Sequence, residues 1–214
     1  MNAGRRPKLL QQFERQGYVV VPDVLSISLR TELMRGLPAS VGSGTRRLLE
    51  QPRYQQLARS VRSAPSLNFA LEGLVCVQAI LFQKTTEHNW SLQMHTDSVF
   101  PIKGEGTWAS AGDKEGCPFV QVPREVTSRF VAVRLCLDDA CEGDLKVEPG
   151  SHWPNPQTVG NSVVVTVPRG GALVLNPSIR HGSSKLETST SRRVIHLVYA
   201  PPTLPESYSW VRAV

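Results

Sequence analysis

Gly171-Ala172-Leu173-Val174-Leu175-Asn176-Pro177-Ser178-Ile179-Arg180-His181 decides how this 214-residue chain is read. A short apolar run, Ala172–Leu175, ends at the turn pair Asn176-Pro177, and a histidine follows. That order predicts a buried strand that stops at a turn and delivers an imidazole just beyond it. Working outward, β-branched and apolar runs recur at 73–82, 129–137, 162–167 and 192–199, set off by Pro149-Gly150 and Pro168-Arg169-Gly170-Gly171. Helical patterns do not alternate with them, which argues against a doubly wound parallel sheet. Many strands joined by turns predict an antiparallel double sheet or barrel, such as a jelly roll.

The first third has a different period. Leu9, Leu10, Phe13 and Tyr18 are spaced as on a helix that Gly17 stops, and Tyr18-Val19-Val20-Val21 reads as a short strand. Ser26 is placed to cap a helix over Ile27–Arg35, with Gly36 as its stop. Pro52–Arg62 reads as another helix, with Tyr54, Leu57, Ala58 and Val61 on one side. The expected organisation is a single domain: a helical flank over 1–65, a mainly β core over 66–200 and a C-terminal tail over 201–214. Within the core, 98–128 shows no convincing strand or helix and carries Gly104, Gly106, Gly112 and Gly116. It is expected to be a long mobile lid, with Trp108 and Phe119 as its buried anchors.

Composition narrows the class. With 40% hydrophobic and 20% charged residues, the chain is ordinary globular material and long enough to fold without disulfides or a structural metal. No apolar run is long enough to span a membrane, and the basic N-terminus lacks a signal-peptide core, so the expected compartment is the cytoplasm. The four cysteines, Cys76, Cys117, Cys136 and Cys141, form no C-x-x-C and read as reduced thiols. The net charge of +6 is uneven: residues 1–62 hold 11 Lys+Arg against 4 Asp+Glu, and the remainder is close to balanced. This excess reads as the solvated side of surface helices, and nucleic acid is not the expected partner.

Motifs for several chemistries are absent. Gly42-Ser43-Gly44-Thr45-Arg46-Arg47 lacks the third glycine of a dinucleotide fingerprint, and neither a phosphate loop nor a nucleophile elbow is present. The histidines are more informative. In His95-Thr96-Asp97 an extended backbone turns the imidazole and the carboxylate to one side. A second histidine from a distant strand would complete a two-histidine, one-carboxylate set that leaves metal positions open, and His181 is the natural partner. Eleven residues on, Arg192-Arg193 opens the last long β run. An arginine there can hold the far carboxylate of a keto-acid cosubstrate in bidentate fashion. In a strand Arg192, Val194, His196 and Val198 share one face and Arg193, Ile195, Leu197 and Tyr199 the other, so only one of the two arginines points inward.

These pieces resemble the phytanoyl-CoA dioxygenase family of Fe(II)/2-oxoglutarate oxygenases. The resemblance is carried by Phe13-Glu14-Arg15-Gln16-Gly17-Tyr18-Val19-Val20-Val21-Pro22, Gly44-Thr45-Arg46-Arg47-Leu48-Leu49, and Phe82-Gln83-Lys84-Thr85-Thr86-Glu87-His88-Asn89-Trp90 leading to His95-Thr96-Asp97. It continues through Leu137-Asp138-Asp139, Leu145-Lys146-Val147-Glu148-Pro149-Gly150-Ser151-His152 and Arg180-His181-Gly182-Ser183-Ser184. It implies a mainly β fold with flanking N-terminal helices, a double-stranded β-helix (jelly roll, cupin-like). It implies Fe(II) held by His95, Asp97 and His181, O2 as oxidant, and 2-oxoglutarate held by Arg192 and Ser183, with Lys84 and Gln78 as further candidates. Gly143-Asp144 departs from the family's Asn-Gly, and Thr96 stands where the family often has Gln. Related halogenases lack the carboxylate ligand, so Asp97 points to hydroxylation or another oxidation rather than halogenation.

The expected activity is therefore hydroxylation of a small molecule with release of succinate and CO2. The alternatives are a non-catalytic jelly-roll binder with a vestigial site, or an oxygenase acting on nucleic acid or protein. Arg134 and Arg180 read equally as contacts for an anionic substrate or as surface charges. His152 reads as a structural turn histidine, His196 as a satisfied core or surface residue, and His88 as exposed. Asp138 and Asp139 read as shaping a strand end, and Trp90 as a core or pocket residue. Substrate identity and oligomeric state are not legible in the sequence.

Overall fold

A computed structural model describes residues 5–38, 44–138, 145–155, 160–186, 191–205 and 207–214. The expectations placed on Gly42-Ser43, Asp139, Cys141 and Gly143-Asp144 lie outside these residues. Helix α1 (Arg5–Gln16) leads into strand β1 (Tyr18–Val21), α2 (Ile27–Arg35), a 3-10 turn (Leu48–Glu50), α3 (Pro52–Arg62) and α4 (Asn68–Leu71). Then follow β2 (Val75–Lys84), β3 (Leu92–His95), β4 (Val99–Lys103), β5 (Ser110–Lys114), β6 (Cys117–Gln121) and α5 (Arg124–Thr127). The chain continues with β7 (Val131–Cys136), β8 (Leu145–Val147), β9 (Val163–Val165), β10 (Ala172–Leu175), β11 (His181–Ser183), β12 (Arg192–Ala200) and β13 (Ser209–Trp210). None of the described helices is long and apolar enough to cross a membrane.

The local signals in the first third act as read. The Ser26 side chain accepts from the Leu29 N–H at 3.2 Å, a cap that contributes about 1 kcal/mol. Gly17 ends α1 at φ +79°, and a Cβ there would fall 2.5 Å from the His152 ring. His152 in turn hydrogen-bonds the Glu14 carbonyl at 3.0 Å, so it fastens the end of α1 to the turn after β8. His88 is exposed.

Two antiparallel sheets form the centre, one ordered β1-β10-β7-β12-β2 and one ordered β3-β11-β8-β9. Ala132, Leu145, Val147, Val165, Leu173 and Leu175 interlock between them. The opposite face of the five-stranded sheet packs Ala79, Leu135, Ile195, Leu197 and Tyr199 against Tyr54, Leu57, Ala58 and Val61 of α3. That sheet is buried on both faces, which is why its strands read as near-continuous apolar runs.

The stretch 98–128 is a correction. It is not a structureless loop: β4, β5 and β6 form a third antiparallel sheet, closed on one side by β13, and α5 follows. Glu115 and Gly116 both have positive φ (57° and 74°) and make a two-residue hairpin between Lys114 and Cys117. The glycines that look like loop markers serve a hairpin and a bulge, and long-range pairing overrides the low β-propensity of Ser110–Lys114. Residues 201–214 are likewise no free tail. Strand β13 pairs with β4, and Val214 and Cys76 exchange backbone hydrogen bonds at 2.9 and 3.0 Å. Phe100, Ile102, Phe130, Val198, Tyr208 and Trp210 bind the third sheet to the sandwich. Cys76 and Cys117 are free thiols.

The helix-backed face supplies a stability test. Leu197 is fully buried in it, so Leu197→Ala is expected to lose about 2–5 kcal/mol. The Tyr199 hydroxyl donates to the Ala58 carbonyl at 2.9 Å, so Tyr199→Phe is expected to lose about 1 kcal/mol. Ile27 is 81% exposed, and Ile27→Ala should stay within about 0.5 kcal/mol of wild type. Urea unfolding of the three variants measures the order; an Ile27→Ala loss as large as that of Leu197→Ala would contradict this core.

Candidate metal centre

The site is built where two short strands of the four-stranded sheet meet. His95 ends β3, His181 opens β11, and the antiparallel register sets them directly opposite each other. Their rings lie 4.4 Å apart between centroids. Each ring is held by its Nδ1, that of His95 against the Gln93 carbonyl at 2.8 Å and that of His181 against the Ile179 carbonyl at 3.0 Å. A carbonyl can only accept, so each Nδ1 carries the proton and each Nε2 presents a lone pair. Both Nε2 atoms face Asp97, whose backbone N–H donates to the Pro177 carbonyl at 2.9 Å. Nε2 of His95 is 3.5 Å from Oδ1 and Nε2 of His181 is 3.7 Å from Oδ2. One ligand atom from each of the three residues falls within 4.8 Å of the others. These gaps exceed a hydrogen bond, and the three atoms converge as ligands of one ion do.

The electrostatics follow from this crowding. Burial pushes the Asp97 carboxyl up, but the imidazoles of His181, His95 and His196 outweigh it and hold the group well below the usual carboxylate range. The Asp97 contact raises His95, while burial lowers His181. Burial takes His196 down to about 3, so it is neutral at physiological pH. Its Nε2 lies 3.9 Å from Asp97 Oδ2. His196 therefore belongs to this site and not merely to the core, which the reading of the sequence missed. The signal was present: His196 shares the inward face of β12 with Arg192, four residues away.

The two arginines separate as strand logic expects. Arg193 turns outward and forms a two-pronged ion pair with Asp138, at 3.0 and 2.5 Å. Arg192 is buried and sits opposite Lys84 in the β12–β2 pair. The Lys84 ammonium, itself 1% exposed, donates to Ser183 Oγ at 3.0 Å and to the Ser184 carbonyl at 2.6 Å. Arg192, Lys84 and Ser183 thus gather at one end of the inward face. Gln78 stands further along β2, on the same face as Lys84, and lines the cleft over the metal site.

That cleft has a volume of about 380 Å³ and reaches His95, Asp97, His181 and His196. Phe82, Trp90 and Phe119 form its apolar walls, and Arg46, Lys114 and Arg134 its cationic lining. Arg134 lies over the Phe82 ring at 5.6 Å, and Lys114 over Phe119 at 5.0 Å. Arg180 points elsewhere, to Glu148 at 3.0 Å. Thr96 lines this cleft and also a second one of about 550 Å³, which meets the Thr96–Asp97–Ser98 turn together with Thr107, Trp108 and Gln121.

No family model matches the chain, and no curated protein matches it. Solved structures do. The non-heme alpha ketoglutarate dependent epimerase SnoN from nogalamycin biosynthesis superposes with a TM-score of 0.67 at 17% identity, over 94% of this chain and 83% of that one. HygX from Streptomyces hygroscopicus, solved with nickel and 2-oxoglutarate bound, gives 0.64 at 19% identity, over 96% and 89%. AviO1 from Streptomyces viridochromogenes Tue57 gives 0.61 at 19% identity, over 94% and 97%. At these identities the shared property is the fold.

Gly182 tests how closely the site depends on strand spacing. A Cβ there would lie 2.7 Å from the Leu92 carbonyl oxygen and 3.1 Å from the Met94 nitrogen, both on the strand that carries His95. Gly182→Ala is expected to force β3 away from β11, at a cost of about 1–3 kcal/mol in urea unfolding, and to weaken Mn(II) binding followed by electron paramagnetic resonance. Wild-type Mn(II) affinity in this variant would show that the His95–His181 spacing is not set by this contact.

Proposed function

We propose that this chain is a non-haem Fe(II)- and 2-oxoglutarate-dependent dioxygenase on a double-stranded β-helix, one that hydroxylates a small molecule with release of succinate and CO2. The observation that carries the proposal is the convergence of His95, Asp97 and His181, with both Nδ1 atoms already committed to backbone carbonyls. Two neutral imidazoles and one carboxylate suit Fe(II) and leave positions for a cosubstrate and O2. HygX, which shares the fold, is solved with nickel and 2-oxoglutarate bound, in keeping with this reading. The ordered motifs that resemble the phytanoyl-CoA dioxygenase family support it as well.

With the iron and 2-oxoglutarate bound, the chemistry they would supply is activation of O2, the oxidant, with 2-oxoglutarate as the two-electron reductant; binding, orientation and exclusion of water fall to the residues of this chain. Arg192, Lys84 and Ser183 are the proposed holders of the far carboxylate of 2-oxoglutarate. Side by side across β12 and β2, the two cations gain from a bound anion. Gln78 is a further polar contact. Phe82, Trp90 and Phe119 keep the cleft dry, and the third sheet supplies its outer wall in place of the expected loop. Arg46, Lys114 and Arg134 favour a substrate that carries negative charge.

Anaerobic titration of Fe(II) and 2-oxoglutarate, read by visible metal-to-ligand absorption, tests the proposal. Wild type should develop the band and Asp97→Ala should lose it. Arg192→Ala should raise the 2-oxoglutarate requirement roughly 10- to 100-fold, the cost of a charged hydrogen-bond partner, and Arg193→Ala should leave it unchanged. A full band in Asp97→Ala would remove Asp97 from the ligand set. The reverse order of the two arginines would exchange their roles.

A further inference from the structure

We propose that His196 is a positioning residue for the metal site: its Nε2 donates a hydrogen bond to the Asp97 carboxylate, on its Oδ2 side, and holds it in place to ligate. The inference rests on the reading of His95, Asp97 and His181 as metal ligands. It starts from a polar side chain in the wrong surroundings. His196 is 4% exposed and stands on β12 between Ile80 and Arg134 of the neighbouring strands. The Phe82 ring meets it edge-on at 5.9 Å. Its Nδ1 is buried with no hydrogen-bond partner. An imidazole so placed costs stability that an apolar side chain of similar size would not.

What His196 does face is Asp97. Its Nε2 lies 3.9 Å from Oδ2, less than about 1 Å beyond hydrogen-bond range. His95 and His181 also face the carboxylate, but with Nδ1 donating to the Gln93 and Ile179 carbonyls their neutral rings would turn lone pairs toward it, as metal ligands do. The Nδ1 of His196 has no such carbonyl. Its one polar neighbour within reach is the Asp97 carboxylate beside Nε2, and a carboxylate only accepts, so Nε2 stands as the donor. On the adjoining strand its register partner is Arg134, a cation that offers the ring no acceptor. A carboxylate that ligates through one oxygen needs a donor on the other, and such outer partners are worth about 10- to 100-fold in metal affinity. His196 is that partner, bought at the expense of the core.

The test compares His196→Leu with His196→Gln in the full chain, using Co(II) alone, whose visible spectrum reports both affinity and coordination. Leu removes the donor. Gln places an N–H where Nε2 stood. His196→Leu is expected to bind Co(II) about 10- to 100-fold more weakly with a changed band envelope, while the metal-free variant melts at or above the wild-type temperature. His196→Gln should recover most of the affinity and the wild-type spectrum. If Leu does not fold, His196→Phe takes its place against Gln. Co(II) affinity and spectrum unchanged in the apolar variant would overturn the inference, as would a loss that Gln fails to recover. Wild type that binds no Co(II) would overturn the metal reading beneath it, a result separable from either.

Discussion

Asp97 is the constraint on which the site depends. Its carboxylate lies among three imidazoles, two of them buried, with nitrogen–oxygen distances of 3.5, 3.7 and 3.9 Å. Burial alone would neutralise such a group, and the surrounding rings reverse that tendency. At 3.5 Å or more the three contacts are longer than good hydrogen bonds, so the carboxylate and the rings converge without closing on one another. That favours a cation and disfavours tight collapse of the site.

The rest of the molecule keeps those side chains in place. The His95–His181 register comes from pairing β3 with β11, and Gly182 lets the two backbones approach. The four-stranded sheet is held by its packing on the five-stranded one, which is held in turn by the helices on its far side. His152, Gly17 and the Asn176 N–H, which donates to the Gly17 carbonyl at 2.8 Å, join the first helix to the turns beside the site. A helical flank that looks peripheral in sequence therefore supports the strand ends that carry the chemistry.

Strand β12 shows how a single element serves two purposes. Its outward face, Arg193, Ile195, Leu197 and Tyr199, ends in an ion pair to Asp138 and otherwise builds the helix-backed core. Its inward face, Arg192, Val194, His196 and Val198, runs from the buried cation pair past the imidazole beside Asp97. Period-2 alternation separates these sets, so a one-residue slip would put Arg193 into the site and Arg192 into the helix layer.

Much was determined by the sequence alone. The helices over Ile27–Arg35 and Pro52–Arg62, the strand Tyr18–Val21 and the apolar runs of the main sheet are local patterns, and the structure realises them because capping and periodicity act over a few residues. The His95-Thr96-Asp97 spacing and the sidedness of Arg192 and Arg193 are local in the same sense. What only the tertiary structure decided depends on partners far away in the chain. The segment 98–128 becomes a sheet because Ser209–Trp210 and its own hairpin complete the pairing, although its glycines suggest a loop. His196 reads as one more core residue until folding brings it to Asp97, 99 positions earlier, where its unpartnered nitrogen gains a meaning. Short-range order is written in residue type and spacing; which polar groups share a buried space is set by the packing of sheets.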